Sequence, residues 1–446
     1  MKMIRLFCVC FPVLVSGPNL RGQPSAGNVL WTFDIGAKIV SSPALASDGT
    51  VYVGSQTSLL AVTNNGSTAS NRWTFPAGVA DSVAIGDDGT IYFVGGLSNS
   101  LIAVRPDGSE KWNFFAGGGG GTPAIGLDNT VYFQSYTGLC AVSPSGTFKW
   151  KAAYGASGNF VSPAIGSDRT IFVGSVEFGR LFSISAAGGE NWMVNMSPDG
   201  PGLGVAVADN GTVYTAGRIV NAFDSTGTNL WSQGGPVFGG LPVIGNGGIL
   251  YVGEAGSHTL YAISPDGQIL WHVLESASIA PVTAPAVDAG GTIHYCFSNS
   301  VVALSPQGQV QWTVFGGFSF NGFVLAATSP VIGPDGTLYA AIGSKLYAIA
   351  TGTNGPANSA WPMYQQNARH TGKVEKPALK QLKKRADANF EFQLYAQLGQ
   401  TNVIETTTNL SNWTSLTSVV VTTVPQPVVD LTASNAPARH YRTLAP

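Results

Sequence analysis

The stretch Leu260–Trp271, LYAISPDGQILW, joins an apolar strand to a second strand ending in tryptophan through a Pro-Asp-Gly turn. The turn glycine accepts a positive φ without a Cβ clash, so the two runs fold back as a hairpin. Nearly the same string stands at Leu101–Trp112 as LIAVRPDGSEKW and at Val301–Trp312 as VVALSPQGQVQW. Its tryptophan recurs at Trp31, Trp73, Trp112, Trp150, Trp192, Trp231, Trp271 and Trp312, with gaps of 42, 39, 38, 42, 39, 40 and 41 residues. A fixed period near 40 is the mark of a repeat architecture.

Working outward from the tryptophans, a second signal recurs eight times: SPAL at Ser42, SVAI at Ser82, TPAI at Thr122, SPAI at Ser162, GVAV at Gly204, LPVI at Leu241, APAV at Ala284 and SPVI at Ser329. Most are followed by an Asp-Gly or related turn and a β-branched or aromatic run, as in Asp48-Gly49-Thr50 before VYVGS. Each unit therefore reads as four short strands, which is a propeller blade. Gly and Pro punctuate the chain about every ten residues and no 3.6-residue apolar period runs through it, which excludes helical repeats. Trp31 belongs to a fourth strand with no first three before it, and the unit from Ser329 to Ala350 has three strands and no tryptophan in register. The expected fold is all-β: an eight-bladed propeller of four-stranded blades, closed by the N-terminal strand, with a small C-terminal β-sandwich-like domain.

Composition agrees. Of 446 residues 57 are Gly and only 10% are charged, against about 25% in ordinary soluble domains. A net charge of −2 supplies no reason to expect nucleic acid as a partner. The N-terminus reads as an export signal over residues 1–24: Lys2 and Arg5, then the apolar run Leu6–Val15, then small residues. That run is too short to span a bilayer, so no transmembrane segment is expected after cleavage. The expected location is outside the cytoplasm: periplasmic, cell-surface or extracellular. Neither Cys8 nor Cys10 has the setting of a lipid-modified cysteine, and Cys140 and Cys296 stand four repeats apart, too far across a ring for a disulfide.

The array is expected over residues 28–372. Its end, WPMYQQNARHTG at Trp361–Gly372, resembles a short signature found beside such arrays and is expected to pack over the propeller. Residues 373–388, with Lys373, Lys376, Lys380, Lys383, Lys384 and Arg385, read as a basic solvated linker. Residues 389–446 return to strand-like runs such as FEFQLYAQL and NVIETTTNL. Their core IETTTNLSNWTSL and terminal ARHYRTL resemble a small module found on secreted bacterial proteins.

The repeat, a third strand ending in a Gly turn with tryptophan three or four residues on, resembles that of the pyrroloquinoline-quinone-type propellers over residues 28–372. The resemblance implies that Trp31, Trp73, Trp112, Trp150, Trp192, Trp231, Trp271 and Trp312 dock neighbouring blades by stacking on the Gly turn next door, a structural role suited to a large aromatic. It does not imply the cofactor. The quinone-using members are longer and carry adjacent cysteines and an acidic and amide calcium set on the ring axis. This chain has no adjacent cysteines after its export signal, and most of its Asp residues sit in Gly turns that account for them. The expectation is a non-enzymatic exported scaffold of the non-catalytic branch, with no cofactor; a quinoprotein oxidoreductase using pyrroloquinoline quinone is the alternative.

His258, His272, His294, His370 and His440 have no metal-ligand spacing. No EF-hand run and no nucleophile elbow appear. Gly117–Gly121 precedes a strand rather than a helix, so it reads as an inter-blade loop and not as a phosphate cradle. In a four-stranded meander the first-to-second and third-to-fourth turns share one face, and here these are short and Gly-based. The second-to-third and blade-to-blade loops share the other face and vary, as at Phe115–Gly121, Tyr154–Phe160, Phe178–Arg180, Pro198–Leu203 and Phe318–Phe323. Function gathers on variable loops held by a rigid scaffold. The candidate binding face is this second one, with Phe318, Phe320, Asn321 and Phe323 as its aromatic cluster, and a protein or a cell-surface glycan as partner. Oligomeric state is not legible.

Overall fold

The computed structural model describes residues 24–154, 161–175, 179–196, 204–234, 240–254, 259–274, 283–297, 300–315, 328–367, 369–372, 378–384, 389–395, 401–408, 413–420, 426–430 and 439–444. Within them the chain folds into eight four-stranded antiparallel sheets followed by two three-stranded ones, an all-β arrangement consistent with a propeller. Blade one runs Ala44–Leu45, Val51–Gly54, Leu59–Asn64 and Ala69–Phe75, and the next six repeat this order along the chain. The eighth sheet has Val331–Ile332, Thr337–Ile342 and Lys345–Ala350, and takes its outer strand, Val29–Asp34, from the other end of the chain.

The burial pattern explains why the strands differ. Second strands such as Val131–Ser135 are buried along their whole length, because both faces pack against neighbouring blades. Outer strands such as Phe148–Ala153 alternate between exposed and half-buried. The core lies between sheets: one apolar cluster joins Tyr52 and Leu59 of blade one to Ile91 and Phe93 of blade two.

Each third-to-fourth strand pair carries a register shift just before its tryptophan, for example between Ala103↔Trp112 and Val104↔Glu110. The extra residue of such a bulge is turned out of the ladder. In blades one to three it is Arg72, Lys111 or Lys149, and its charge meets Asp48, Asp88 or Asp128 at 3.0, 2.9 and 3.1 Å. These exposed pairs contribute little stability but place charge on open strand edges.

Two expectations change. Gly119–Gly121 belong to a strand, Gly119–Ile125, and not to a loop: Gly119 and Gly120 pair with Ser135 and Gln134. The ladder closes there because glycine leaves room; a Cβ on Gly119 would stand 2.6 Å from the Gln134 carbonyl oxygen. The basic stretch is also more than a linker, since Ala378–Lys384 forms a strand paired with Phe390–Tyr395. It is the edge of the sheet Ala378–Lys384, Phe390–Tyr395, Gln426–Asp430, where lysines are the usual guard. The companion sheet sets Thr401–Thr407 between Thr414–Val420 and His440–Leu444, and Phe392, Leu394, Ile404 and Val428 form a small shared core.

Candidate binding faces and the axial strap

The tryptophans sit where blades meet. The indole Nε1 of Trp73 donates to Pro106 O at 2.9 Å, in the third-to-fourth turn of the next blade. Trp112, Trp150, Trp192, Trp231 and Trp271 repeat this onto Pro144, Ala186, Ser225, Pro265 and Pro306 at 2.8–3.0 Å. Each ring lies against the turn glycine, so that a Cβ on Gly267 would meet Trp231 at 2.7 Å. Trp312 packs likewise on Gly27. Trp31 differs: its Nε1 donates to the Asn64 side chain at 2.9 Å, and Gly66 has open space around it. On its other side every tryptophan meets a ring of its own blade's second strand, from His294 at 5.4 Å to Tyr339 at 6.0 Å.

In blade seven that ring is His294, whose Nε2 lies 2.9 Å from Asp288 Oδ2, both side chains fully buried. Asp288 stands where blades two, three, four, six and eight carry Gly86, Gly126, Gly166, Gly245 and Gly333. Its other oxygen accepts the amides of Gly290 and Thr292.

Residues 355–367 and 369–372 form a strap across one end of the ring. The last amide of five of the eight inner strands donates to it: Val287 to Pro362 O, Ile244 to Trp361 O, Ile85 to Arg369 O, Ile125 to Thr371 O and Ile165 to Gly372 O. These amides directly precede the first-to-second turns, so the strap covers the Gly-turn face. Trp361, Met363, Tyr364 and His370 are all buried. At the axis the Tyr364 hydroxyl donates to Asp81 Oδ2 at 3.0 Å, and the Tyr364 hydroxyl oxygen itself lies 2.8 Å from Thr122 Oγ1 and 3.3 Å from Ser162 Oγ. Arg369 pairs with Asp87 at 2.8 Å, and the Nδ1–H of His370 donates to Val83 O at 3.0 Å.

Asp81 keeps some accessible surface yet is desolvated by the surrounding protein. Desolvation raises its pKa, against the pull of its hydroxyl and amide donors. Burial lowers that of His370 to about 4 and raises that of Tyr364. Sequence reasoning missed this cluster. Asp81 was visible in one column: directly before the eight SPAI-type motifs stand Ser41, Asp81, Gly121, Val161, Leu203, Gly240, Thr283 and Thr328, with a single charge among them.

Asp81 is one carboxylate already engaged by three hydroxyl groups, and the nearby Gln134 amide is spent on Val161 N and Gly174 O. Among the described residues no group of three His, Cys, Asp or Glu could hold a metal ion. Cys140 and Cys296 are separate buried thiols.

On the opposite, loop face five of the described apolar side chains are exposed: Leu97 and Tyr136 in second-to-third turns, Phe115, Leu274 and Phe315 at the ends of outer strands. Phe318, Phe320, Asn321, Phe323 and His258 lie outside the described residues, as do residues 1–23. No helix among the described residues is long and apolar enough to cross a membrane.

The family model described as outer membrane protein assembly factor BamB matches residues 22–176 and again 177–372. The crystal structure of BamB from Moraxella catarrhalis is similar at 18% identity, covering 74% of this chain and 97% of that one, with a TM-score of 0.57. The computationally designed Ika8 protein is similar at 12% identity, covering 74% and 100%, with a TM-score of 0.58. At these identities the likeness concerns the fold. No curated protein sequence matches the chain.

Proposed function

This chain belongs to the family of the outer membrane protein assembly factor BamB, and on that premise we propose that it is an exported, non-enzymatic scaffold that binds a protein or glycan partner at the cell envelope through its loop face. Closure of the ring through Val29–Asp34 is part of this reading; the pairing of that strand with Lys345–Ala350 supports it. Export rests on the character of residues 1–24, and an envelope location also suits a family described by outer-membrane assembly.

One observation carries the choice of face. The strap roofs the Gly-turn end of the axis and uses the amides that an incoming chain could pair with there. The opposite face keeps exposed Leu97, Phe115 and Tyr136. Apolar groups left in water on a rigid scaffold mark interaction sites.

Photo-crosslinking tests the reading. An ultraviolet-activated residue at Leu97 is expected to capture an envelope component, while the same residue at Asp107, on the Gly-turn face, captures none. Capture from Asp107 alone overturns the assignment of the face. Dye reduction on reconstitution with pyrroloquinoline quinone and calcium, dependent on an added alcohol or sugar, overturns the non-enzymatic reading.

A further inference from the structure

The loop face is not uniform. At Tyr136, the residue after the second strand, none of the other seven repeats carries an aromatic; blade two has Gly96 there. The Tyr136 ring rests against Gly118: a Cβ on that glycine would meet ring carbon Cδ2 at 2.8 Å. The Tyr136 amide donates to Gly118 O at 3.3 Å. Gly118 has a φ of 86°, a left-handed conformation that glycine alone adopts cheaply. The backbone is therefore shaped to hold this ring, which remains 42% exposed. Phe115, three residues before Gly118, is 62% exposed, and Gly117 leaves an open ledge with nothing within 4 Å of where a Cβ would stand.

We propose that this arch, Phe115–Gly118 with Tyr136, is a docking platform for an uncharged polysaccharide chain. The inference rests on the reading that the loop face is the binding face.

Three features select that ligand. The segments 95–101, 115–122 and 134–140 contain no Asp, Glu, Lys, Arg or His, so nothing in them recognises a charged group. The neighbouring main chain is already paired, Gly119 with Ser135 and Gly120 with Gln134, which denies an extended peptide the ladder it would join. What the arch offers is ring surface beside a bare glycine ledge, with the hydroxyl of Thr137 adjoining Tyr136. A pyranose carries both counterparts: an apolar C–H face for an aromatic ring and a rim of hydroxyls for polar groups.

The test is affinity electrophoresis of the mature full chain through gels containing laminarin, hydroxyethylcellulose or arabinoxylan, with alginate as an anionic control. Retardation by at least one neutral polymer and none by alginate is expected. Tyr136→Ala and Phe115→Ala should each weaken binding about tenfold or more, a loss of at least about 1.4 kcal/mol. Tyr136→Phe should retain it, since the ring is kept. The thermal midpoint of each variant separates lost binding from lost fold. No retardation by any neutral polymer, retardation unaffected by both alanine variants, or retardation by alginate alone overturns the proposal. Protein capture from Leu97 with no retardation in any gel overturns the polysaccharide and leaves the loop-face reading intact.

Discussion

Tyr364 of the strap and Asp81 of blade two meet at the ring axis, the phenol donating to the carboxylate at 3.0 Å across 283 residues of sequence. The contact ties the end of the repeat array to its beginning. Asp81 has neighbouring hydroxyls but no basic partner among its contacts, so the Tyr364 hydrogen bond bears on how well a buried carboxylate is tolerated. Tyr364→Phe should therefore destabilise the protein by about 1–3 kcal/mol, the cost of leaving a buried charged acceptor short of a donor. Urea denaturation measures it, and faster amide exchange at Ile85, Ile125 and Ile165 should accompany it, because those amides donate to the strap. An unchanged midpoint and unchanged exchange would show that Tyr364 is not a fastener.

The same cluster makes opposed contributions to the pH dependence of stability. The Asp81 pKa is raised, so the folded state holds the proton more tightly than the unfolded chain. Its contribution is greatest below the ordinary value of 3.8 and is lost as pH rises through the folded value. His370 is lowered from 6.5 to about 4, so its contribution is present above pH 6.5 and is lost as pH falls toward 4. Relative to the parent protein, Asp81→Asn should make acidification from pH 6.5 more damaging. His370→Asn should make it less so; asparagine tolerates the φ of 55° found there. Chemical denaturation at pH 4.5, 5.5, 6.5 and 7.5 resolves the slopes. Equal slopes in all three proteins would refute the assignment.

Glycine turns under the tryptophans should be far less tolerant than similar turns elsewhere. Gly267 has a φ of 91° and the Trp231 ring above it, whereas Gly66 has a φ of 84° and nothing within 4 Å. Alanine at position 66 incurs only left-handed strain, about 1–2 kcal/mol. Alanine at 267 incurs that strain and also lifts an indole off its hydrogen bond to Pro265, so Gly267→Ala should cost about 1–3 kcal/mol more than Gly66→Ala. Comparing the two denaturation midpoints checks the difference.

These contrasts also show what the chain announces and what it hides. Trp spacing and the SPAI-type motifs disclose eight blades because identical packing problems recur and receive the same residues. The strand Ala378–Lys384 is hidden because Lys380, Lys383 and Lys384 resemble a solvated linker, although an edge strand carries the same residues. Asp81 and Tyr364 each occur once, so no periodicity reports them; only comparing the repeats position by position singles out the carboxylate. Exposure of Phe115 and Tyr136 depends on which side chains neighbouring blades leave uncovered, a tertiary matter that local patterning does not encode.

Blade seven contains a paired exchange that can be tested as a unit. In blades two, three, six and eight glycine stands beside a tyrosine ring: a Cβ on Gly126 would lie 3.1 Å from Tyr132, and on Gly245 2.6 Å from Tyr251. In blade seven the tyrosine has become His294 and the glycine Asp288, and the smaller ring makes room for a carboxylate that hydrogen-bonds to it at 2.9 Å. Either change alone should be harmful. Asp288→Gly leaves a fully buried imidazole without its partner, and His294→Tyr drives a larger ring against a buried carboxylate; each should cost about 2–4 kcal/mol. The double variant restores the arrangement of those four blades and should recover at least about 1 kcal/mol over the sum of the single losses. Denaturant unfolding of the four proteins closes the cycle. Strict additivity would mean that the two positions settle their packing independently, and that the exchange in blade seven is not a compensated pair.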